Sequence, residues 1–243
     1  RLRLINWLTR QGLESLPEND LLRGFCERCR AGGIPLSRGL VIIDTLHPSF
    51  EGRGFRWNDG QTNESEVFEY GSSSTGSAAD AWRRSTFFHM LENGREEFFI
   101  DLADCDKYDF PMANDLAEKG HKHFLSFVHR FGEAGTMGEM DAVYSSWLTR
   151  EGDGFSEQCL DALRELVPVL GLAVKSGAQA SIARTLGRVY LGHDAAEQVL
   201  RGKISRGMTE RITTVLWFSD LRGSTAISES IEPGEIIPFL NDY

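Results

Sequence analysis

The chain of 243 residues lacks an uninterrupted run of about 18 apolar residues, so its sequence predicts no membrane-spanning helix. It also lacks an excess of basic residues: 26 Lys and Arg stand against 36 Asp and Glu, a net charge of −10. That balance argues against nucleic acid as the main partner, since phosphate binding requires clustered cations. The chain shows no initiator Met and no signal-peptide segment. We therefore expect a fragment of a longer cytoplasmic protein.

Cysteine is scarce, and its four positions form no disulfide framework. Cys26 and Cys29 make a CxxC, but neither a second pair nor a His pair completes a zinc site. Both thiols fall on the apolar face of a helical pattern, which favours a place in the core. A thiol-based redox enzyme using Cys105 or Cys159 stays open as an alternative.

Residues 1–155 predict an α+β domain with five or six antiparallel strands. Two helices are expected within residues 1–33, and helices also precede and follow the third strand. The expected strands are 39–46, 54–57, 97–100, 123–128 and 140–147.

Residues 156–210 have a helical period throughout. Leu163, Val167, Leu170 and Val174 step by 4, 3 and 4, the spacing of a coiled-coil seam. We expect a helical linker that forms a homodimer. The alternative is one amphipathic helix packed back on its own domain. Pro168 would kink the helix in both cases.

Residues 211–243 predict a strand, a turn and a broken helix. The strand is Ile212–Phe218, the turn Asp220–Thr225, and the helix from Ile227 is interrupted at Pro233-Gly234. An acidic side chain at a strand end, followed by a glycine turn, suits a metal ion and phosphate oxygens. The same pattern also occurs where a side chain only caps a helix.

The run Val215–Thr225, with Glu232-Pro233 and Leu240–Tyr243, resembles the opening of a class III adenylate/guanylate cyclase catalytic domain. The family pattern has Phe where this chain has Ser224. The resemblance covers residues 211–243 and implies the truncated βα start of a cyclase domain.

That resemblance implies roles for individual residues of the turn. Asp220 and the Leu221 carbonyl would bind Mg²⁺ (or Mn²⁺), and Gly223, Ser224 and Thr225 would hold phosphates. The parent enzyme would make a cyclic nucleotide and pyrophosphate from a nucleoside triphosphate between two catalytic domains. The fragment alone would be inactive, because the family's remaining catalytic residues would lie beyond it.

The element order of residues 1–155 resembles a GAF-like sensor fold, in which a ligand lies between sheet and covering helices. Candidate pocket residues are His47, Trp57, Trp82 and His89. Haem is one ligand that either histidine would suit. A turn histidine, a core histidine and ordinary core aromatics are the alternatives.

Taken together, the sequence predicts the sensory, regulatory and dimerisation region of a class III adenylate (or guanylate) cyclase. The alternatives are a haem- or small-ligand sensor without a cyclase role, a thiol-based redox enzyme, and a scaffold for a partner protein.

Overall fold

A computed structural model describes residues 1–60, 66–71, 76–103, 110–132, 140–205, 213 and 215–242. Contacts divide the chain into two compact units, Arg1–Gly202 and Lys203–Tyr243. Each unit is described by itself below.

One antiparallel sheet organises the described part of the first unit. Its strands are β1 (Arg38–Asp44), β2 (Gly52–Asn58), β3 (Glu66–Tyr70), β4 (Glu97–Asp101), β5 (His123–Arg130) and β6 (Ala142–Thr149). Their order across the sheet is β3-β2-β1-β6-β5-β4. The α+β class and the five predicted strands are confirmed. The edge strand β3 was not predicted, because two glutamates in its five residues weaken the pattern of a buried strand.

Seven helices of the first unit are described, and six of them cover the two faces of the sheet. They are α1 (Leu2–Leu13), α2 (Glu18–Ala31), α3 (Gly76–Arg83), α4 (Thr86–Glu92), α5 (Pro111–Glu118), α6 (Glu157–Leu191) and α7 (His193–Leu200). Helices α1, α2 and α6 share one apolar cluster with the sheet, whereas α4 and α5 share the other, and α3 packs beside α4. We call these two sides the α6 face and the α4 face.

The CxxC lies inside the core of the α6 face. Cys26 and Cys29 are 0% and 1% exposed, in a cluster with Phe25 and Trp147, whose ring centroids are 5.1 Å apart. A Cβ at Gly39 would come within 2.9 Å of the Cys26 Sγ, so the strand approaches the thiol closely. The expected core position of the CxxC is confirmed.

Helix α6 packs along its own domain. The Oγ of Ser156 accepts a hydrogen bond from the Cys159 N–H at 3.3 Å and caps the helix. The four positions predicted as a coiled-coil seam, Leu163, Val167, Leu170 and Val174, are at most 1% exposed. They belong to the cluster formed with α1 and α2. These positions therefore serve the core of one chain, and a homodimer would need another surface.

By length and composition alone, α6 is apolar enough to cross a membrane, but 44% of its apolar window is buried inside the protein. A core helix of a globular domain meets the same criteria, so we assign no span to it.

The second unit contains α8 (Ser224–Ser230) and α9 (Ile236–Asp242), separated at Pro233-Gly234 as predicted. The predicted strand is wrong for its described residues, because Val215–Phe218 have no strand pairing. Their four side chains are 76–89% exposed. A strand requires hydrogen bonds to a neighbouring strand, and the described part of this unit supplies none.

Candidate ligand cavity and C-terminal turn

A cavity of about 390 Å³ lies on the α4 face, between the sheet and α3. Its floor comes from strands β1, β3 and β6 and from Glu51 just before β2, and its wall comes from α3 and the start of α4. The lining residues are Ile42, Asp44, Glu51, Phe68, Tyr70, Gly71, Ala78, Ala81, Trp82, Ser85, Phe87 and Tyr144. We call this space the aromatic cavity.

Two glycines in β2 determine the shape of its floor. Gly52 pairs with Tyr70, and Gly54 pairs with Phe68 in the antiparallel register. A Cβ at either glycine would collide with the paired aromatic ring. Both rings therefore lie across the bare backbone of β2, an arrangement that larger residues would prevent.

One polar pair of the aromatic cavity is a carboxylate bonded to a phenol. The Tyr70 hydroxyl donates to Asp44 Oδ1 at 2.5 Å. Burial raises the pKa of Tyr70 well above its usual value, and the negative charge of Asp44 and this hydrogen bond add to the effect. Tyr70 consequently stays a neutral donor, and Asp44 and Glu51 supply carboxylate acceptors among the lining residues.

Aromatic rings from α3, α4 and β6 also line the cavity. The Trp82 ring meets the Tyr144 ring edge to face at 5.5 Å, and Phe87 lies 5.5 Å from the same ring. Burial raises the pKa of Tyr144, whose hydroxyl donates to Asp141 Oδ1 at 3.3 Å. The Oγ of Ser85 caps α4 by accepting from the Phe88 N–H at 3.1 Å. These contacts hold the aromatic wall at a fixed distance from the sheet.

The four predicted pocket residues do not meet in one place. Trp82 lines the aromatic cavity, whereas Trp57 is 8% exposed in the core of the α6 face. His47 lies in the turn after β1, where its Nδ1 accepts from the Ser49 N–H at 3.2 Å and its ring stacks on Phe50.

His89 is on α4, packed between Phe98 and Phe110 at 5.3 and 5.5 Å. The residues described around the aromatic cavity include neither histidine. A haem held by an axial histidine therefore does not fit this cavity.

Sequence reasoning missed Asp44, Tyr144 and the contact between Asp44 and Tyr70. An acidic residue that ends the apolar run Leu40–Ile43 is a signal that could have identified Asp44. Tyr70 belongs to the unpredicted strand β3, and its pairing with Asp44 joins residues 26 positions apart. The sequence pattern does not reveal such a contact.

The described thiols give little support to redox chemistry. Burial raises the pKa of Cys29 to about 12 and raises that of Cys26 well above its usual value. A thiol that stays protonated is a poor nucleophile. Cys159 is half-buried, with its Sγ accepting from the Ser156 hydroxyl at 3.3 Å. Cys105, the other residue of the redox alternative, lies outside the described residues.

The C-terminal turn presents the predicted metal and phosphate residues on an open surface. Asp220, Gly223, Ser224 and Thr225 are exposed, and Gly223 has φ +75° directly before α8. The Leu221 carbonyl accepts the Ser224 N–H at 3.2 Å. Among the described residues no group of three potential metal ligands occurs. One carboxylate and one carbonyl do not make a magnesium site by themselves, so the fit to Mg²⁺ is incomplete within this chain.

Searches with protein-family models and against curated proteins give no match. Similar solved structures are GAF domains. The phycocyanobilin-bound GAF domain of a cyanobacterial phytochrome is 16% identical, with a TM-score of 0.45 over 73% of this chain and 95% of that chain. The phycoerythrobilin-bound form is 14% identical, with a TM-score of 0.43 and the same coverage.

The GAF domain of a two-component sensor histidine kinase from Bacillus halodurans is 12% identical, with a TM-score of 0.39 over 67% of this chain and 93% of that chain. With TM-scores below 0.5, these similarities carry no argument about ligand or activity.

Proposed function

We propose that residues 1–202 are a regulatory domain that senses a small planar molecule in the aromatic cavity. The observation that carries this proposal is the cavity itself, which contains the bonded pair Asp44 and Tyr70 and a wall that includes Trp82 and Phe87. A volume of about 390 Å³ is within the range that protein ligand sites occupy. Apolar edges with one convergent polar pair are the usual composition of such sites.

The chemistry of the floor restricts the ligand class. Asp44 offers carboxylate oxygens, so a ligand with an N–H or O–H donor at its edge would bind there. The aromatic wall favours a flat ring system over a branched aliphatic molecule. A heteroaromatic base of nucleotide size meets both requirements.

The ligand proposal is tested first by an absorption spectrum of the freshly purified protein, and then by thermal shift with cyclic AMP, cyclic GMP and hemin. We expect a saturable rise in melting temperature with a cyclic nucleotide. Trp82→Ala should reduce that rise, while Trp217→Ala, which removes a side chain 84% exposed in the second unit, should not.

A Soret band would instead support the haem alternative and overturn the planar-base proposal. If all three compounds leave the melting temperature unchanged and no chromophore is present, the aromatic cavity is not a sensor site for this class.

We further propose that the domain regulates a class III nucleotidyl cyclase whose catalytic region begins near residue 211. The support is the run Val215–Thr225, together with a turn that starts a helix at Ser224 and the break at Pro233-Gly234. In that reaction the ribose 3′-oxygen attacks the α-phosphorus, the bond to the β-phosphate oxygen breaks, and pyrophosphate leaves. A bound divalent metal would supply charge neutralisation at the phosphates.

This chain's own residues would contribute positioning to that reaction. The Asp220 carboxylate is exposed at the turn, where it is free to share a metal with further ligands. The left-handed conformation of Gly223 directs the chain into α8, and backbone N–H groups at such a turn bind phosphate oxygens.

The cyclase proposal is tested by assaying cyclic nucleotide formation from ATP and GTP by the complete protein with Mg²⁺ and Mn²⁺. Asp220→Asn should lower kcat by two or more orders of magnitude, because it removes a metal ligand. Asp153→Asn, an equal change at an exposed turn residue of the first unit, is the control. Equal activity of the two variants would contradict the role of Asp220.

A further inference from the structure

A second cavity of about 210 Å³ lies on the same α4 face and contains an arginine at its floor. Ser85 and Phe87 line both this space and the aromatic cavity, so the two are neighbours under one aromatic wall. Arg38 begins β1 and Asp44 ends it, at opposite ends of the combined floor. We call the second space the Arg38 cavity.

One donor of the Arg38 guanidinium has no acceptor within the described residues. Its Nε is fully buried and has no hydrogen-bond partner there. The carboxylate of Glu66 bonds instead to Arg56, at 2.7 Å, and the buried Nε of Arg56 is likewise without a partner. A buried donor without an acceptor is costly, so this arrangement favours an added acceptor.

Positive charges outnumber negative ones around Arg38, although the nearby carboxylate of Glu66 attracts its guanidinium. Arg56 lies diagonally across the β1–β2 pair on the same face, and Arg150 is also near enough to repel the guanidinium. Lys119 lines the cavity, and Asp115 is the one carboxylate among its lining residues. Burial, followed by the charge of Arg56, lowers the pKa of Arg38. An anion entering this space would relieve that repulsion.

We propose that Arg38 binds the carboxylate or phosphate group of the sensed ligand, whose planar body lies against the wall formed by Phe87 and Trp82. The inference rests on the proposed sensor function and names the ligand class of that site: a planar molecule with one anionic group. Arginine suits this role, since its planar fork of N–H donors matches both anions.

The test uses three matched probes on the complete chain: 2-naphthyl phosphate, 2-naphthoate and neutral 2-naphthol, each titrated by isothermal calorimetry. The anions should bind more tightly than naphthol by about tenfold or more, because a charge-assisted pair is added. The difference between phosphate and carboxylate identifies which group the cavity accepts.

Arg38→Gln should remove the preference for anions and leave naphthol binding unchanged, whereas Arg38→Lys should retain part of it. Arg188→Gln, at an exposed position of α6, is the matched control. On the unchanged chain, inorganic phosphate should compete with naphthyl phosphate but not with naphthol. This measurement remains decisive if the Gln variant fails to fold.

Equal affinity for all three probes, with binding weakened by Trp82→Ala, would overturn the anion site and leave the aromatic cavity standing. Absence of binding by every probe would overturn both.

Discussion

At the scale of single residues, the pKa of one buried histidine links stability to pH. His121 is 5% exposed, and its Nδ1 lies 3.0 Å from the Ser37 hydroxyl. Burial lowers its pKa to about 4, with Arg150, Arg38 and Lys119 adding repulsion to the charged form. In the unfolded chain a histidine titrates near 6.5. The unfolded state therefore binds more protons between these values, and stability falls as pH decreases through that window.

We expect His121→Gln to flatten the dependence of unfolding free energy on pH between about 6.5 and 4. As pH falls across this interval, the unfolding free energy of the native chain should decrease by on the order of 2 kcal/mol more than that of the variant. Urea denaturation at a series of pH values measures it, and His193→Gln, at an exposed histidine, is the control. Parallel pH profiles for native chain and variant would contradict the assignment.

A second residue-scale prediction concerns the glycine floor of the aromatic cavity. Gly54→Ala should displace the Phe68 ring, because the new Cβ would occupy its space. We expect the free energy of unfolding to fall by about 1–3 kcal/mol and the planar probes to bind more weakly.

Gly171→Ala is the matched control for that change. Its Cβ would lie at an ordinary 3.9 Å from Val143, inside helix α6. Alanine there should stabilise the protein by up to about 1 kcal/mol. Urea denaturation separates the two, and a Gly54 variant as stable as the native chain would show that the floor adapts.

At the scale of elements, α6 is a core helix over most of its length. Leu170 is 1% exposed and Leu172 is 69% exposed, two positions apart on the same helix. Leu170→Ala should lower the free energy of unfolding by about 2–5 kcal/mol, and Leu172→Ala should lower it by less than about 0.5 kcal/mol. The loss should not change with protein concentration. A concentration-dependent loss would show that Leu170 lies in a dimer seam instead.

The same helix shows how far sequence reasoning extends. A 4–3 spacing identifies an apolar stripe on a helix, but a partner chain and the protein's own α1 bury such a stripe equally well. The five strands of the first unit were predictable because β-branched and aromatic runs are flanked by turn residues. The strand at Val215–Phe218 has the same composition and does not form here, because strands depend on neighbours that a local pattern does not contain.

The aromatic cavity was predictable only in part, for a related reason. Trp82 was predicted as a pocket residue, but its partners Tyr70 and Tyr144 come from strands 74 positions apart in sequence. Trp57 has the same residue type and faces the opposite side of the sheet. A change of one position in β2 would place Trp57 on the other face of the sheet, so its residue type alone did not show on which side it lies.

At the scale of the whole molecule, α6 extends beyond the core that holds it. Ile182 is its last fully buried residue, and nine further residues lead to Leu191, a rise of about 14 Å. Gly192, at φ +77°, then reverses the chain into α7, which packs back on α6 with Ala196 facing Gly187. The end of α6 and α7 thus form a helical hairpin that joins the core through α6, where the partly buried Leu186 still packs against the apolar cluster.

Through a continuous helix, a rotation about the axis of α6 would turn the hairpin by the same angle. One residue inserted after Arg184 would turn the hairpin by about 100° about the axis of α6, whereas seven would return it to within about 20° of its original direction. If the proposed cyclase function holds and α6 carries the ligand signal onward, the activity of the complete protein should vary with insertion length in steps of about 3.6 residues. A steady decline of activity with insertion length would show that the distance between the core and the hairpin matters, and that the angle of the hairpin does not.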